Sequence, residues 1–200
     1  KSLAFVLPTN IGEALIILIA VAFFPVVGGS ILMPMLPVQI LWINLVAAVT
    51  LALPLAFESM EPGVMRRRPR DPGSSILNRF VMTRTLGVAI LMTAGAIILF
   101  FHEFSILLDQ GNSREVALAH AQTAAVTTVI LFQIFYLLQC RSLRDSMFKI
   151  GLFSNPSVYV GIVLLILLQL AFVYVPFMNT LFSSAPLTPE AWLKATLAGM

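Results

Sequence analysis

Long apolar runs alternate with short polar links along the whole chain. Five runs reach membrane-crossing length: Leu3–Val27, Pro34–Phe57, Phe80–Phe101, Val116–Leu138 and Val158–Val175. About 20 apolar residues in a helix cross a hydrocarbon core about 30 Å thick. A sixth run starts near Thr188, where Thr188-Pro189-Glu190 reads as a cap with proline in the first turn. Its roughly 13 residues would rise about 20 Å, so this span, 188–200, is predicted to be incomplete. The predicted fold is all-α: a polytopic transmembrane helix bundle of three antiparallel helix hairpins, with no internal repeat.

Four polar side chains interrupt these runs. Asn10 and Glu13 lie in the first, Asn44 in the second and Gln133 in the fourth. Asn10 and Glu13 are three residues apart and share one helix face. A carboxylate near the bilayer centre costs about 2.5 kcal/mol or more unless it faces protein, an ion or water. Glu13 is therefore the leading candidate for chemistry. All four offer oxygen, the donor that Ca²⁺, Mg²⁺ and Na⁺ prefer. Converging near the midplane, Asn10, Glu13, Asn44 and Gln133 would suit one cation. The bland reading of a single Asn or Gln in a membrane helix is a packing hydrogen bond. For Thr9-Asn10, next to Pro8, an interfacial cap is the alternative.

Composition agrees with the pattern. Of 200 residues 59% are hydrophobic and only 10% charged, against roughly 25% charged in soluble domains. The mean hydropathy is +0.97. The net charge of +3 matters less than its placement. Arg66, Arg67, Arg68, Arg70 and Arg79 follow the second span, and Arg141, Arg144 and Lys149 follow the fourth, whereas the opposite links hold only Arg114. The positive-inside rule thus makes the loops 58–79 and 139–157 cytoplasmic, with the N-terminus on the same side. The arginine loop is either a topology signal or a docking patch for anionic lipid or another domain. The other side receives Val27-Gly28-Gly29-Ser30, a polar segment from Glu103 to Glu115, and Ser183-Ser184-Ala185-Pro186. The first run lacks a small-residue cleavage site and reads as a span rather than a signal peptide. Lys1 in place of Met points to a segment of something longer.

The remaining polar positions carry weaker signals. Thr50, Thr127 and Thr128, and the small-residue row Ala117-Ala121-Ala124-Ala125, suit close helix packing. Trp42 reads as packing, and Tyr159, Tyr174 and Trp192 as interfacial rings. His102 and His120 flank an external loop without metal-like spacing and are expected at the surface. The single Cys140 allows no internal disulfide. The sequence holds no Gly-rich phosphate loop, no Ser/His/Asp set and no metal-type Cys/His pair, so it offers no means of hydrolysing anything by itself.

Three stretches resemble a known family: Thr9-Asn10-Ile11-Gly12-Glu13, Pro37-Val38-Gln39-Ile40-Leu41-Trp42-Ile43-Asn44-Leu45, and Ala56-Phe57-Glu58 through Met65-Arg66-Arg67-Arg68-Pro69-Arg70. They are similar to the C-terminal membrane region of P-type cation-transporting ATPases, nearest the calcium-pump-like type II enzymes. The tail from Tyr174 through Trp192 extends the similarity over nearly the whole chain. The resemblance implies the fifth to tenth transmembrane helices of a ten-helix pump. It also implies that Asn10, Glu13, Asn44 and Gln133 stand at cation-ligand positions. The loop 58–72 resembles the one that contacts the phosphorylation domain. One departure is sharp. Calcium pumps of the family carry Thr-Asp-Gly soon after the sixth-helix Asn, where this chain has Ala47-Ala48-Val49. The central carboxylate is gone, and with it the Gly that helps unwind that helix. One acid fewer weakens divalent binding and admits a monovalent ion or a proton.

The resemblance thus implies an integral, multi-pass membrane domain of an ATP-driven pump, in the plasma membrane. Its transported cation would be Ca²⁺ first. Mg-ATP, the phosphorylation motif and the nucleotide domain would belong to the rest of that protein. The expected partners are lipid and the preceding helices and cytoplasmic domains of the same pump, not nucleic acid. The competing readings are a non-catalytic helix bundle that binds a partner, and a passive channel.

Overall fold

The computed structural model describes residues 2–27, 30–57, 79–141 and 155–200. Most of Arg66 to Arg79, and Arg144 with Lys149, lie outside the described residues. Seven α-helices are present among the described residues: α1 (Ser2–Phe23), α2 (Pro37–Ala47), α3 (Arg79–Asp109), α4 (Arg114–Cys140), α5 (Pro156–Tyr174), α6 (Pro176–Phe182) and α7 (Pro189–Gly199). α2 continues through a π-helical turn, Ala48–Ala52, into a 3₁₀ turn, Pro54–Phe57. Five of these stretches are long and apolar enough to cross a membrane. The chain is an integral, multi-pass membrane protein.

α4 is the axis of the bundle. Every residue from His120 to Ile130 is buried, whereas the other spans expose a broad apolar face. That contrast follows from composition: Ala117, Ala121, Ala124 and Ala125 let neighbouring backbones approach closely. α3 and α1 pack on one another beside α4, α7 lies against α4 and α3, and α5 lies against the π turn.

Three prolines shape the helices. Each lacks an N–H and so frees the carbonyl four residues earlier. Pro8 sits inside α1 and frees the Ala4 carbonyl, which accepts 2.8 Å from the Tyr136 hydroxyl of α4. Pro176 separates α5 from α6. The carbonyl of Phe172 there accepts from Ser184 Oγ at 2.7 Å and from Asn179 Nδ2 at 3.1 Å. Pro54 ends the widened part of the second span and frees the Thr50 carbonyl. Gly161 of α5 is seated directly against that carbonyl, where a Cβ would collide with it. Within the π turn the Leu53 N–H reaches back five residues to Ala48, at 3.0 Å. The span is therefore irregular just past Asn44, without a glycine in Ala47-Ala48-Val49.

Other boundaries moved. The first helix stops at Phe23, and Val26–Val27 pairs antiparallel with Ser30–Ile31 in a two-residue ribbon, Val26 opposite Ile31. The third helix passes Phe101 and runs to Asp109, so Glu103 is a buried helical residue rather than part of a polar link. Phe100 stacking on Phe104 carries the helix through that point. His120 is buried as well, 7% exposed, which corrects its expected surface position; His102 is exposed. Trp42 packs as expected, its ring centroid 5.6 Å from that of Phe172 and 5.1 Å from that of Phe182. Thr188 caps α7 as its sequence predicts, accepting from the Ala191 N–H at 3.2 Å.

Candidate cation site

Glu13 lies halfway along α1 on the face turned to α4 and α2, and is 3% exposed. Two amide side chains meet its two oxygens. Asn44 Nδ2 donates to Oε2 at 2.7 Å, and Gln133 Nε2 donates to Oε1 at 2.9 Å. Three separate helices thus converge on one carboxylate. Asn44 Nδ2 also reaches the Ile40 carbonyl of its own helix at 3.1 Å. Gln133, 1% exposed, keeps its carbonyl Oε1 buried without a hydrogen-bond partner.

An orphaned acceptor is costly in a buried place, roughly 1–3 kcal/mol. It is also the atom that a hard cation would use. Rotating either amide replaces its N–H by its oxygen, so the two amides can serve the bare carboxylate or a bound ion. A small cavity of 120 Å³ adjoins them, lined by Thr9, Asn10, Asn44, Ala47, Ala48 and Gln133 among others. Asn10 stands at its exposed rim. Ala48 also lines this cavity and brings no ligating atom to it. A wider groove of 570 Å³ opens on the other side of Asn10, Glu13 and Asn44, walled by apolar residues such as Leu18, Val21 and Ile40.

The supporting contacts are precise. α3 touches α1 at Gly12, where a Cβ would run into the Met92 methyl. The Thr93 hydroxyl donates to the Gly12 carbonyl at 3.1 Å. This fixes α1 one residue from Glu13. Thr93 was not legible as part of the site, because a threonine in an apolar helix looks like any other packing residue. Among the described residues, no three His, Cys, Asp or Glu side chains come together. The site thus has one formal charge and several neutral oxygens.

Residues 32–200 match the family model "Cation transporting ATPase, C-terminus". The chain belongs to this family. A probable cation-transporting ATPase F of Mycobacterium tuberculosis is 41% identical over 97% of the chain. The cation-transporting ATPase pma1 of Synechocystis is 33% identical over 96%, and a calcium-transporting ATPase of Bacillus subtilis 30% identical over 96%. The chain spans about a fifth of the length of these relatives, 20% of each. As a cation-transporting ATPase C-terminal region, it supplies a bundle of membrane helices in which α1, α2 and α4 surround Glu13.

Proposed function

We propose that this region is the cation-binding part of the membrane domain of an ATP-driven P-type pump. Glu13 is the charged ligand, Asn10, Asn44 and Gln133 are neutral oxygen ligands, and the ion is transported cargo. The observation that carries the reading is the convergence of two amides from two helices on a carboxylate buried in a third. In the parent pump, phosphorylation by Mg-ATP in the other domains tilts these helices, so that the site opens to one side and then the other. The preceding helices of the same pump cover the groove beside Glu13. The loops 58–79 and 139–157 face the cytoplasm and the pump resides in the plasma membrane.

Calcium is the first choice of ion, since relatives named as calcium-transporting share this region. A second reading, a monovalent cation or a proton, is favoured by one specific feature. Ala48 leaves Glu13 as the single acid at the site, and a divalent ion there would keep an excess positive charge in low dielectric. The test is cation-stimulated ATPase activity of the full-length pump and of Glu13→Gln. Loss of cation stimulation in the variant is expected. Unchanged ion dependence would remove Glu13 from the site. A panel of Ca²⁺, Na⁺, K⁺ and protons in the same assay separates the two readings of the ion.

A further inference from the structure

Gln39 stands five residues before Asn44 in the same sequence motif, yet the cation site does not contain it. Its side chain lies in the first turn of α2 and is 0% exposed. Both ends of the amide are engaged. Oε1 accepts from the Leu36 N–H at 3.0 Å, which fixes the orientation of the amide. Nε2 then donates across the bundle to the Phe182 carbonyl of α6, also at 3.0 Å. One turn further along the same face of α2, Trp42 packs on the ring of that same Phe182. Phe182 therefore holds α2 twice, by its carbonyl and by its ring.

Phe182 is itself pinned. Pro176 breaks the chain between α5 and α6 and leaves the Phe172 carbonyl without its helical donor. Ser184 Oγ and Asn179 Nδ2, on either side of Phe182 in sequence, take that carbonyl, and Asn179 also reaches the Val173 carbonyl at 3.0 Å. The Phe182 ring rests on that of Phe172, 5.5 Å between centroids. Helix α2 is more sparsely held. It packs on α4 and α5 and hardly on α1, although its Asn44 must reach across to Glu13 of α1. Asn44 is only half-buried, at the edge of the buried stripe Gln39, Trp42, Ile43 and Val46. A side chain about 5–6 Å from the helix axis moves about 2 Å when the helix turns by about 20°. Such a turn breaks the 2.7 Å bond from Asn44 Nδ2 to Glu13 Oε2.

We propose that Gln39 is a positioning residue of the cation site: its bond to the Phe182 carbonyl sets the rotation of α2 and so aims Asn44 at Glu13. The inference rests on the reading of Glu13 and Asn44 as cation ligands. Gln39 touches no ion and acts through Asn44. A ligand held in place before the ion arrives lowers the cost of binding. Loss of the tie therefore weakens cation binding and leaves the later steps of the cycle unaltered.

The test is a double-mutant cycle on the ATPase activity of the full-length pump, titrated with whichever of Ca²⁺, Na⁺, K⁺ or H⁺ stimulates the wild type. Gln39→Leu should raise the half-saturating cation concentration about five- to tenfold while the maximal rate stays within about twofold. Asn44→Ala should raise it at least as much. The double variant should be no weaker than Asn44→Ala alone, because a residue that acts through another has nothing left to add. Unchanged affinity in Gln39→Leu, or a fully additive double variant, overturns the proposal. Should Gln39→Leu fail to fold, Gln39→Glu takes its place with the same outcomes. Its carboxylate, favoured at a helix N-terminus, keeps the acceptor for the Leu36 N–H but has no proton to give Phe182. Normal cation dependence in Asn44→Ala removes Asn44 from the site and this role with it. A weakened Asn44→Ala beside an unaltered Gln39 variant overturns the role of Gln39 alone.

Discussion

At the scale of single residues, Glu13 and Ala48 decide what the proposed site can hold. Glu13 brings the one negative charge, and two amide donors already spend their hydrogen bonds on it. Ala48 lines the same small cavity with Asn44 and Gln133, without a ligating atom. Ala48→Asp therefore adds a second carboxylate where a cation would sit. The expected outcome is tighter binding of divalent over monovalent ions, by about tenfold or more, since carboxylate count tunes Ca²⁺ affinity over several decades. Cation titration of ATPase activity in the full-length pump checks it; equal tightening for Na⁺ and Ca²⁺ would count against placing Ala48 at the ion. The orphaned Oε1 of Gln133 belongs to this scale too. It is explained if an ion, rather than a protein donor, is its partner.

At the scale of elements, prolines and glycines do more than the apolar pattern. The pattern predicts a continuous second span from Pro34 to Phe57. The structure instead starts the helix at Pro37 and widens it at Ala48–Ala52. The cause is Pro54, which frees the Thr50 carbonyl, together with Gly161, which packs on that carbonyl from α5. Gly161→Val should push α5 away from the π turn at a cost of about 1–3 kcal/mol, the usual cost of overpacking. Thermal unfolding of the purified protein measures this, and a melting temperature equal to that of the wild type would show that the close approach is not needed. Most of the fold at this scale was legible in the sequence, because membrane spans announce themselves by length and apolarity. The third helix beyond Phe101 was not. Glu103 reads as a loop residue until Lys194, 91 residues away, comes within 3.2 Å of it. His120 was misplaced for the same reason.

For the molecule as a whole, the bundle is organised around α4, which carries Gln133 of the proposed cation site and packs against α1, α3 and α7. A ligand bound only by the folded bundle stabilises it by RT ln(1 + [L]/Kd), about 2.7 kcal/mol at a hundredfold excess over Kd. The transported cation should therefore raise the melting temperature of the full-length pump, and a chelator should return it to the unliganded value if the ion is Ca²⁺. Glu13→Gln should abolish both changes. A chelator effect that persists in this variant would locate the bound ion elsewhere.

The sequence by itself determined that this is a multi-pass bundle, which residues are polar inside it, and which family it belongs to. Those properties are local: a run of apolar side chains must leave water, and a carboxylate within such a run stands out. Only the tertiary structure decided that Glu13, Asn44 and Gln133 touch, that Asn10 stays at the rim, and that Glu103 and His120 are interior. Residues 31 and 120 positions apart meet because α4 buries almost all round and draws the other helices onto its small-residue faces. Contact of that kind depends on how whole helices pack, which no single stretch of sequence encodes.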